Sequence, residues 1–203
     1  MSDHYYTENP QSSSSPVRWT VRIKDVFLTF QTDHGVFSRE RVDDGTRLLV
    51  ESAHIPPHAR VLDLGCGYGA VGVSVLKTSE TALVTMLDVN ARAVALADQN
   101  AQINHVRDRA RILCGDAVEV LRSDEQAYDV ILLNPPIRAG KSVVFTLYEM
   151  ARSRLDPEGA LYVVIQKKQG APSTEDKLKT LFHRVEHVAR HGGYRVFCAR
   201  LPR

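Results

Sequence analysis

The ten residues "VLDLGCGYGA", Val61 to Ala70, decide the fold. Val61, Leu62 and Leu64 belong to a run too short for a helix and apolar enough for a buried strand, with Asp63 as its one polar residue. Gly65, Gly67 and Gly69 follow, and glycines let a backbone turn tightly and come close to a ligand. The segment 69–78 then reads as a helix whose first N–H groups have no intrahelical partner and face the same turn. A strand, a glycine turn and a helix in that order make the first unit of a nucleotide-binding α/β sheet. Gly65, Gly67 and Ala70 also satisfy the G-x-G-x-x-G/A pattern of dinucleotide sites, so these ten residues leave an NAD-linked enzyme open.

Downstream the same alternation repeats. Ala82–Leu87 precedes a helix over 90–103, and Ala110–Leu113 precedes a short one near 117–122. Tyr128–Leu133 precedes 142–154, and Leu161–Gln166 precedes 174–183. Near-continuous apolar strands alternating with helices indicate a parallel sheet covered on both faces. The ending breaks the pattern: Val185–Ala189 and Tyr194–Leu201 flank His191-Gly192-Gly193, a hairpin that puts one antiparallel strand into the sheet. Upstream, Trp19–Ile23 and Val26–Phe30 around Lys24-Asp25 read as a second hairpin, and Asp43 or Asp44 caps a helix carrying Leu48 and Leu49. Residues 1–16, with Ser12–Ser15 between Pro10 and Pro16, read as a mobile or loosely docked arm. The expected architecture is thus a Rossmann-like, mostly parallel α/β domain over residues 43–203, preceded by an arm and hairpin extension over 1–42.

Composition bounds the function. A chain of 203 residues, 25% charged and 43% hydrophobic, is ordinary globular material able to bury a core without disulfides. Cys66, Cys114 and Cys198 are scattered with no CxxC pair, which argues against a zinc site and fits a reducing compartment. "MSDHYYTENP" has neither the basic nor the apolar region of a signal peptide, and no apolar run approaches the ~20 residues of a membrane span. A cytoplasmic protein without metal or membrane is expected. The net charge of +2 is unevenly divided. Residues 134–203 carry thirteen Lys/Arg against six Asp/Glu, whereas residues 1–133 carry thirteen against eighteen. A basic half of this kind can face a polyanion or simply be solvated.

Three acids refine the ligand. Asp88 ends the second strand, 21 residues past Gly67, where a carboxylate can hold two ribose hydroxyls; the alternative is a helix N-cap, a task Asn90 can also perform. Asp63 lies where a carboxylate repels a pyrophosphate but suits an ammonium. Asp116, followed by Ala117, can accept from an adenine amine. An ammonium, a ribose diol and an adenine without phosphate describe S-adenosylmethionine. The order Asp63, Gly65-x-Gly67-x-Gly69, Asp88, Asp116, Asn134-Pro135-Pro136 resembles the class I methyltransferases. That resemblance implies a seven-stranded sheet whose last strand is antiparallel. Cys66 and Tyr68 read as loop fillers, although Tyr68 can line the methionine pocket.

"NPPIRAGK", Asn134 to Lys141, ends the strand Tyr128–Leu133. In the class I family, Asn-Pro-Pro before an aromatic residue marks methylation of a conjugated nitrogen. The Asn134 side-chain oxygen and the Pro135 carbonyl can each take one N–H of a target amine, favouring a tetrahedral nitrogen whose lone pair points at the methyl group. Pro135 and Pro136 hold the loop rigid. Ile137 stands where the aromatic would be, so Phe37, with Tyr148 behind it, is the candidate to stack on the base. The stretches 4–10, 32–51, 63–69, 134–141 and 163–173 together resemble small methyltransferases related to the catalytic domain of the ribosomal RNA small-subunit guanine-N2 methyltransferase. The resemblance implies guanine N2 of structured RNA as target. Arg138 and Lys141 would meet RNA phosphates or the cofactor carboxylate, and Lys167-Lys168 would extend that rim; the alternative for this pair is a solvated face. A protein glutamine N5-methyltransferase and a non-catalytic RNA-binding module remain as other readings, and the sequence leaves the oligomeric state open.

Overall fold

The computed structural model describes residues 15–34, 38 and 41–202. Phe37 and the stretch 4–10 lie outside the described residues, as do the first fourteen residues of the expected arm.

Seven strands form one sheet: β3 (Arg60–Leu64), β4 (Leu83–Asp88), β5 (Ala110–Cys114), β6 (Tyr128–Leu133), β7 (Leu155–Gln166), β8 (Arg184–His191) and β9 (Tyr194–Arg200). Their order is β5-β4-β3-β6-β7-β9-β8. The first five pair in parallel, and β9 runs antiparallel between β7 and β8. The single antiparallel strand expected at the C-terminal hairpin is therefore present.

Strand periodicity sorts the core into two. Successive side chains on a strand point to opposite faces. Val61, Val130, Leu132 and Val164 belong to one apolar cluster, while Leu62, Leu64, Ile131, Leu133 and Val163 belong to the other. The first face is covered by α1 (Asp44–Ser52), α2 (Ala70–Thr78) and α3 (Ala91–Ile103). The second is covered by α4 (Ala117–Ser123), α5 (Lys141–Arg154) and α6 (Ala171–Leu181). Both faces being buried explains why these strands read as unbroken apolar runs.

Two boundaries differ by three residues or more from the sequence reading. β7 begins at Leu155 rather than Leu161, because Asp156–Gly159 stays in the strand as an irregularity between the Tyr128–Leu155 and Val130–Ala160 pairs. Arg60 secures this corner, with its guanidinium on both Asp129 oxygens at 3.2 and 3.1 Å and 3.5 Å from Asp156. Helix α6 begins at Ala171, three residues early, since Pro172 sits in its first turn, where a missing N–H costs nothing.

The N-terminal hairpin, β1 (Val17–Ile23) and β2 (Val26–Thr32), forms its own two-stranded sheet. Ile23, Leu28 and Phe30 are fully buried in the first cluster. The outer edge of β2 is paired by side chains. Asn104 accepts from the Thr29 N–H at 3.0 Å and donates to its carbonyl at 2.7 Å. Asn100 does the same for Gln31 at 2.7 and 2.9 Å, and also donates to the Tyr68 carbonyl at 2.9 Å. These two buried asparagines satisfy backbone groups that would otherwise be orphaned, and they tie the hairpin to the glycine turn.

Candidate active site

A cleft of about 480 Å³ opens at the carboxyl ends of β3, β4 and β6, the usual ligand position in an open parallel sheet. Gly65, Gly67, Asp88, Asp116, Ala117, Asn134, Pro135 and Pro136 all line it, so most of the sequence-selected residues converge. Three carboxylates and no Lys or Arg stand among its described lining residues.

At the glycine turn, Gly65 and Gly67 have φ of +74° and +55°, and a Cβ on either would meet nothing within 4 Å. They serve the turn geometry and leave its face open to a ligand. Gly69 does not line the cleft. Its φ is +88° at the N-terminus of α2, and a Cβ there would come within 3.2 Å of Ala97, so its glycine is explained by helix packing.

Three of the turn's donors are already occupied. The Gly65 and Cys66 N–H groups donate to the Leu87 carbonyl at 2.8 and 3.0 Å, and the Gly67 N–H donates to Asp88 at 2.8 Å. Two carboxylates beneath the turn, Asp63 and Asp88, would repel a pyrophosphate. Those two charges disfavour the dinucleotide reading.

Asp63 lies behind the turn rather than in the cleft lining. It is 2% exposed, and one oxygen accepts from the Gly72 N–H at 2.8 Å. Burial pushes its carboxyl up to about 7, with the Asp88 charge adding and the Gly72 N–H opposing. Asp88 does line the cleft. Its oxygens accept from the Gly67 and Asn90 N–H groups at 2.8 and 2.9 Å. Burial raises its pKa, opposed by the N–H groups of Asn90, Gly67 and Val89. Asn90, not Asp88, caps α3 by accepting from Arg92 and Ala93. Asp116 caps α4 through Oδ1, which accepts from Val118 at 2.8 Å and Glu119 at 3.3 Å.

Beside the glycine turn, the cleft is continued by the Asn-Pro-Pro loop after β6 and by the N-terminus of α1. Asn134 is half-buried, and its Nδ2 donates to the Thr46 hydroxyl at 3.0 Å. The amide is thereby fixed with its nitrogen engaged by the helix. Thr46 is buried, and its own N–H donates to Asp43 Oδ1 at 3.0 Å. Pro135 is buried, and its carbonyl accepts no backbone hydrogen bond among the described residues. The chain then makes a single 3-10 turn over Ile137–Ala139, with the Pro136 carbonyl accepting from Ala139 at 2.9 Å.

The remaining described candidates stand outside the cleft lining. Ile137 packs on the second core cluster, and Arg138 and Lys141 are exposed beside it. Tyr148 does not stand behind a base: it is fully buried, its hydroxyl paired with Thr174 at 3.1 Å. Lys167 and Lys168 are exposed after β7. Lys167 shares a hollow of about 270 Å³ with Arg190, His191 and Arg195 at the β8–β9 turn.

Sequence reasoning misses Asp43 and Thr46 as cleft residues; it marks Asp43 only as a helix cap. Thr46 and Asn134 are 88 residues apart, and nothing in the chain signals their pairing. Tyr68 lines the cleft as well, its ring edge-on to Trp19 and Phe30 at 6.2 and 5.6 Å.

Comparison with known proteins agrees with this geometry. The uncharacterized protein YbxB of Bacillus subtilis is 42% identical over 201 residues, covering 98% of this chain and 99% of that one. Ribosomal RNA large subunit methyltransferase G of Pseudomonas putida is 35% identical over 185 residues, covering 87% of this chain and 47% of its own length. The solved structure of the T. thermophilus 16S rRNA N2 methyltransferase RsmC, in complex with AdoMet and guanosine, superposes with a TM-score of 0.80 at 25% identity. That match covers 95% of this chain and 52% of the other. The chain thus spans about half the length of the named rRNA methyltransferases. A family model, the methyltransferase small domain, matches residues 27–198, and the chain belongs to that family.

Proposed function

We propose that this protein transfers a methyl group from S-adenosylmethionine to the N2 amine of a guanine in ribosomal RNA. The observation that carries the reading is the Asn134 amide, whose nitrogen is held by Thr46 while the Pro135 carbonyl beside it takes no backbone donor. Two acceptors at the cleft are what a conjugated amine needs. Its lone pair is delocalised into the ring, and taking both N–H groups out of the ring plane frees that pair for attack. Preorganised dipoles of this kind are worth about 3 kcal/mol each.

The cofactor fits the rest of the cleft. The open glycine face, Asp88 at the strand end and Asp116 beside Ala117 offer acceptors to a ribose diol and an adenine amine. An ammonium above the turn would favour the charged form of Asp63 beneath it. S-adenosylmethionine held there would supply a methyl group on a positively charged sulfur, which would keep the C–S bonding pair on transfer to the amine nitrogen. The amine then releases one proton to water, so no strong base is required of the chain. Arg138, Lys141, Lys167 and Lys168 lie outside the cleft, where they suit phosphates rather than the base. We also take residues 1–42 as an extension and 43–203 as the methyltransferase domain.

The rRNA methyltransferases among the relatives support this substrate class. Mass spectrometry of nucleosides from cells with and without the gene tests it. N2-methylguanosine should disappear from one rRNA position in the deletion and return on complementation. Methylated glutamine in a protein, or no nucleoside change, would refute the proposal.

A further inference from the structure

We infer that Asp43 selects the base, making the target end of the cleft a site for a nucleobase edge with two neighbouring donors, as guanine N1–H and N2 are. The inference rests on the amine-methylating role proposed for Asn134 and adds the element that chooses among amines.

Asp43 and Asn134 both line the cleft. Thr46 joins the two groups, its N–H donating to Asp43 Oδ1 and its hydroxyl accepting from Asn134 Nδ2, both at 3.0 Å. The carboxylate and the amide oxygen are therefore positioned by one residue. An ionised carboxylate has about four lone-pair sites, and the helix cap uses one of them. Tyr68 shares the lining; burial pushes its phenol up, and the Asp43 charge adds to that rise.

The choice follows from base chemistry. Adenine, cytosine and guanine all carry exocyclic amines. Beside its amine, adenine has N1 and cytosine has N3, and both are acceptors. Guanine alone has an adjacent N–H. A carboxylate next to the amine site accepts that N–H and faces a ring lone pair in the other two bases. Leaving a charged acceptor unpaired or opposed is costly, and sites built on such contacts reject analogues lacking the donor strongly. Asp43 is thus a specificity-determining residue, distinct from Asn134, which acts on the amine itself.

The test uses a short RNA around the nucleotide mapped by mass spectrometry, carrying guanine, 2-aminopurine or 2,6-diaminopurine at that position. The two analogues keep the 2-amine but present an acceptor at N1. Wild-type protein should use guanine about a hundredfold or more better in kcat/KM. Asp43→Asn keeps an oxygen for the Thr46 N–H, so the cap survives, and its amide nitrogen can now donate to N1. It should lose activity on guanine and gain on the analogues, narrowing the ratio at least about tenfold. Asp43→Ser, also a good cap, should lose the discrimination without reversing it. Equal use of all three bases by the wild type, or equal loss on all three in Asp43→Asn, overturns the inference while leaving the amine mechanism standing. No transfer to guanine by the wild type refutes the function proposal, and this one with it.

Discussion

Replacing Asn134 by alanine separates turnover from cofactor binding. The substitution removes one of two acceptors for the amine and the donor to the Thr46 hydroxyl. One preorganised dipole is worth about 3 kcal/mol in the transition state, a drop in kcat of roughly a hundredfold or more. Folding should suffer much less. The hydrogen bond to Thr46 is a neutral one, worth about 1 kcal/mol net, or a few degrees in Tm for a domain of this size. Cofactor affinity should stay within about twofold, because the ribose and adenine contacts proposed for Asp88 and Asp116 lie at the ends of β4 and β5, on the other side of β3 from Asn134. Single-turnover transfer to RNA measures the first quantity, and calorimetry with S-adenosylmethionine measures the last. Asn134→Asp keeps an acceptor and should retain partial activity. Near-normal turnover in Asn134→Ala would make the loop a mere strand terminator. Loss of cofactor binding in the same variant would place the residue in the other half of the site.

Asp88→Ala should weaken S-adenosylmethionine binding, read by calorimetry, more than it lowers Tm, since its carboxylate lines the cleft while Asn90 holds the helix cap. The raised Asp63 pKa means that the folded protein binds this proton more tightly than the unfolded chain does. Stability is therefore lost as pH rises from the ordinary carboxyl range through about 7, and the wild-type Tm measured against that of Asp63→Asn should fall across that window; a constant difference would remove the shift. RNA affinity should fall steeply with salt. Neutralising Lys167, Lys168, Arg190 and Arg195 should reduce the log–log slope by about one unit for each phosphate that no longer meets a cation, and an unchanged slope would place the RNA face elsewhere.

What could be read in the sequence follows the range of the interaction. The apolar runs of β3, β4 and β6 and the glycine turn are local patterns, and they appear where expected. Asn90 and Asp116 are local too, each capping the helix that begins at the next residue. The bent start of β7 was hidden because Pro157 and Gly159 signal a break, while Arg60, from another strand, holds the segment in place. The clamp on β2 was hidden for a similar reason. Asn100 and Asn104 sit at ordinary helical positions, and only the fold brings the hairpin edge to them. The Thr46–Asn134 pair is the extreme case: each residue has a complete local explanation, one in a first helical turn and the other at a strand end.

The polar groups of the site share one construction. Asp43, Asp88, Asp116 and Asn134 each spend part of their hydrogen-bonding capacity on a backbone N–H or a buried hydroxyl. That bond fixes the side chain and leaves an acceptor over. With no Lys or Arg among the described lining residues, the cleft is a place for donors. Ribose hydroxyls, an adenine amine and the N1–H and N2 edge of guanine are all donors; an ammonium and a sulfonium are cations. Phosphates suit none of these positions. The cations suited to them, from Arg138 and Lys141 to Lys167, Arg190 and Arg195, lie outside the cleft. Such a division lets a polyanion bind at the rim while only an extruded base enters. It also predicts a separation of effects: changes at the rim should alter affinity and its salt dependence, and changes inside should alter turnover and base choice. A rim substitution that changed base choice at constant affinity would break the argument.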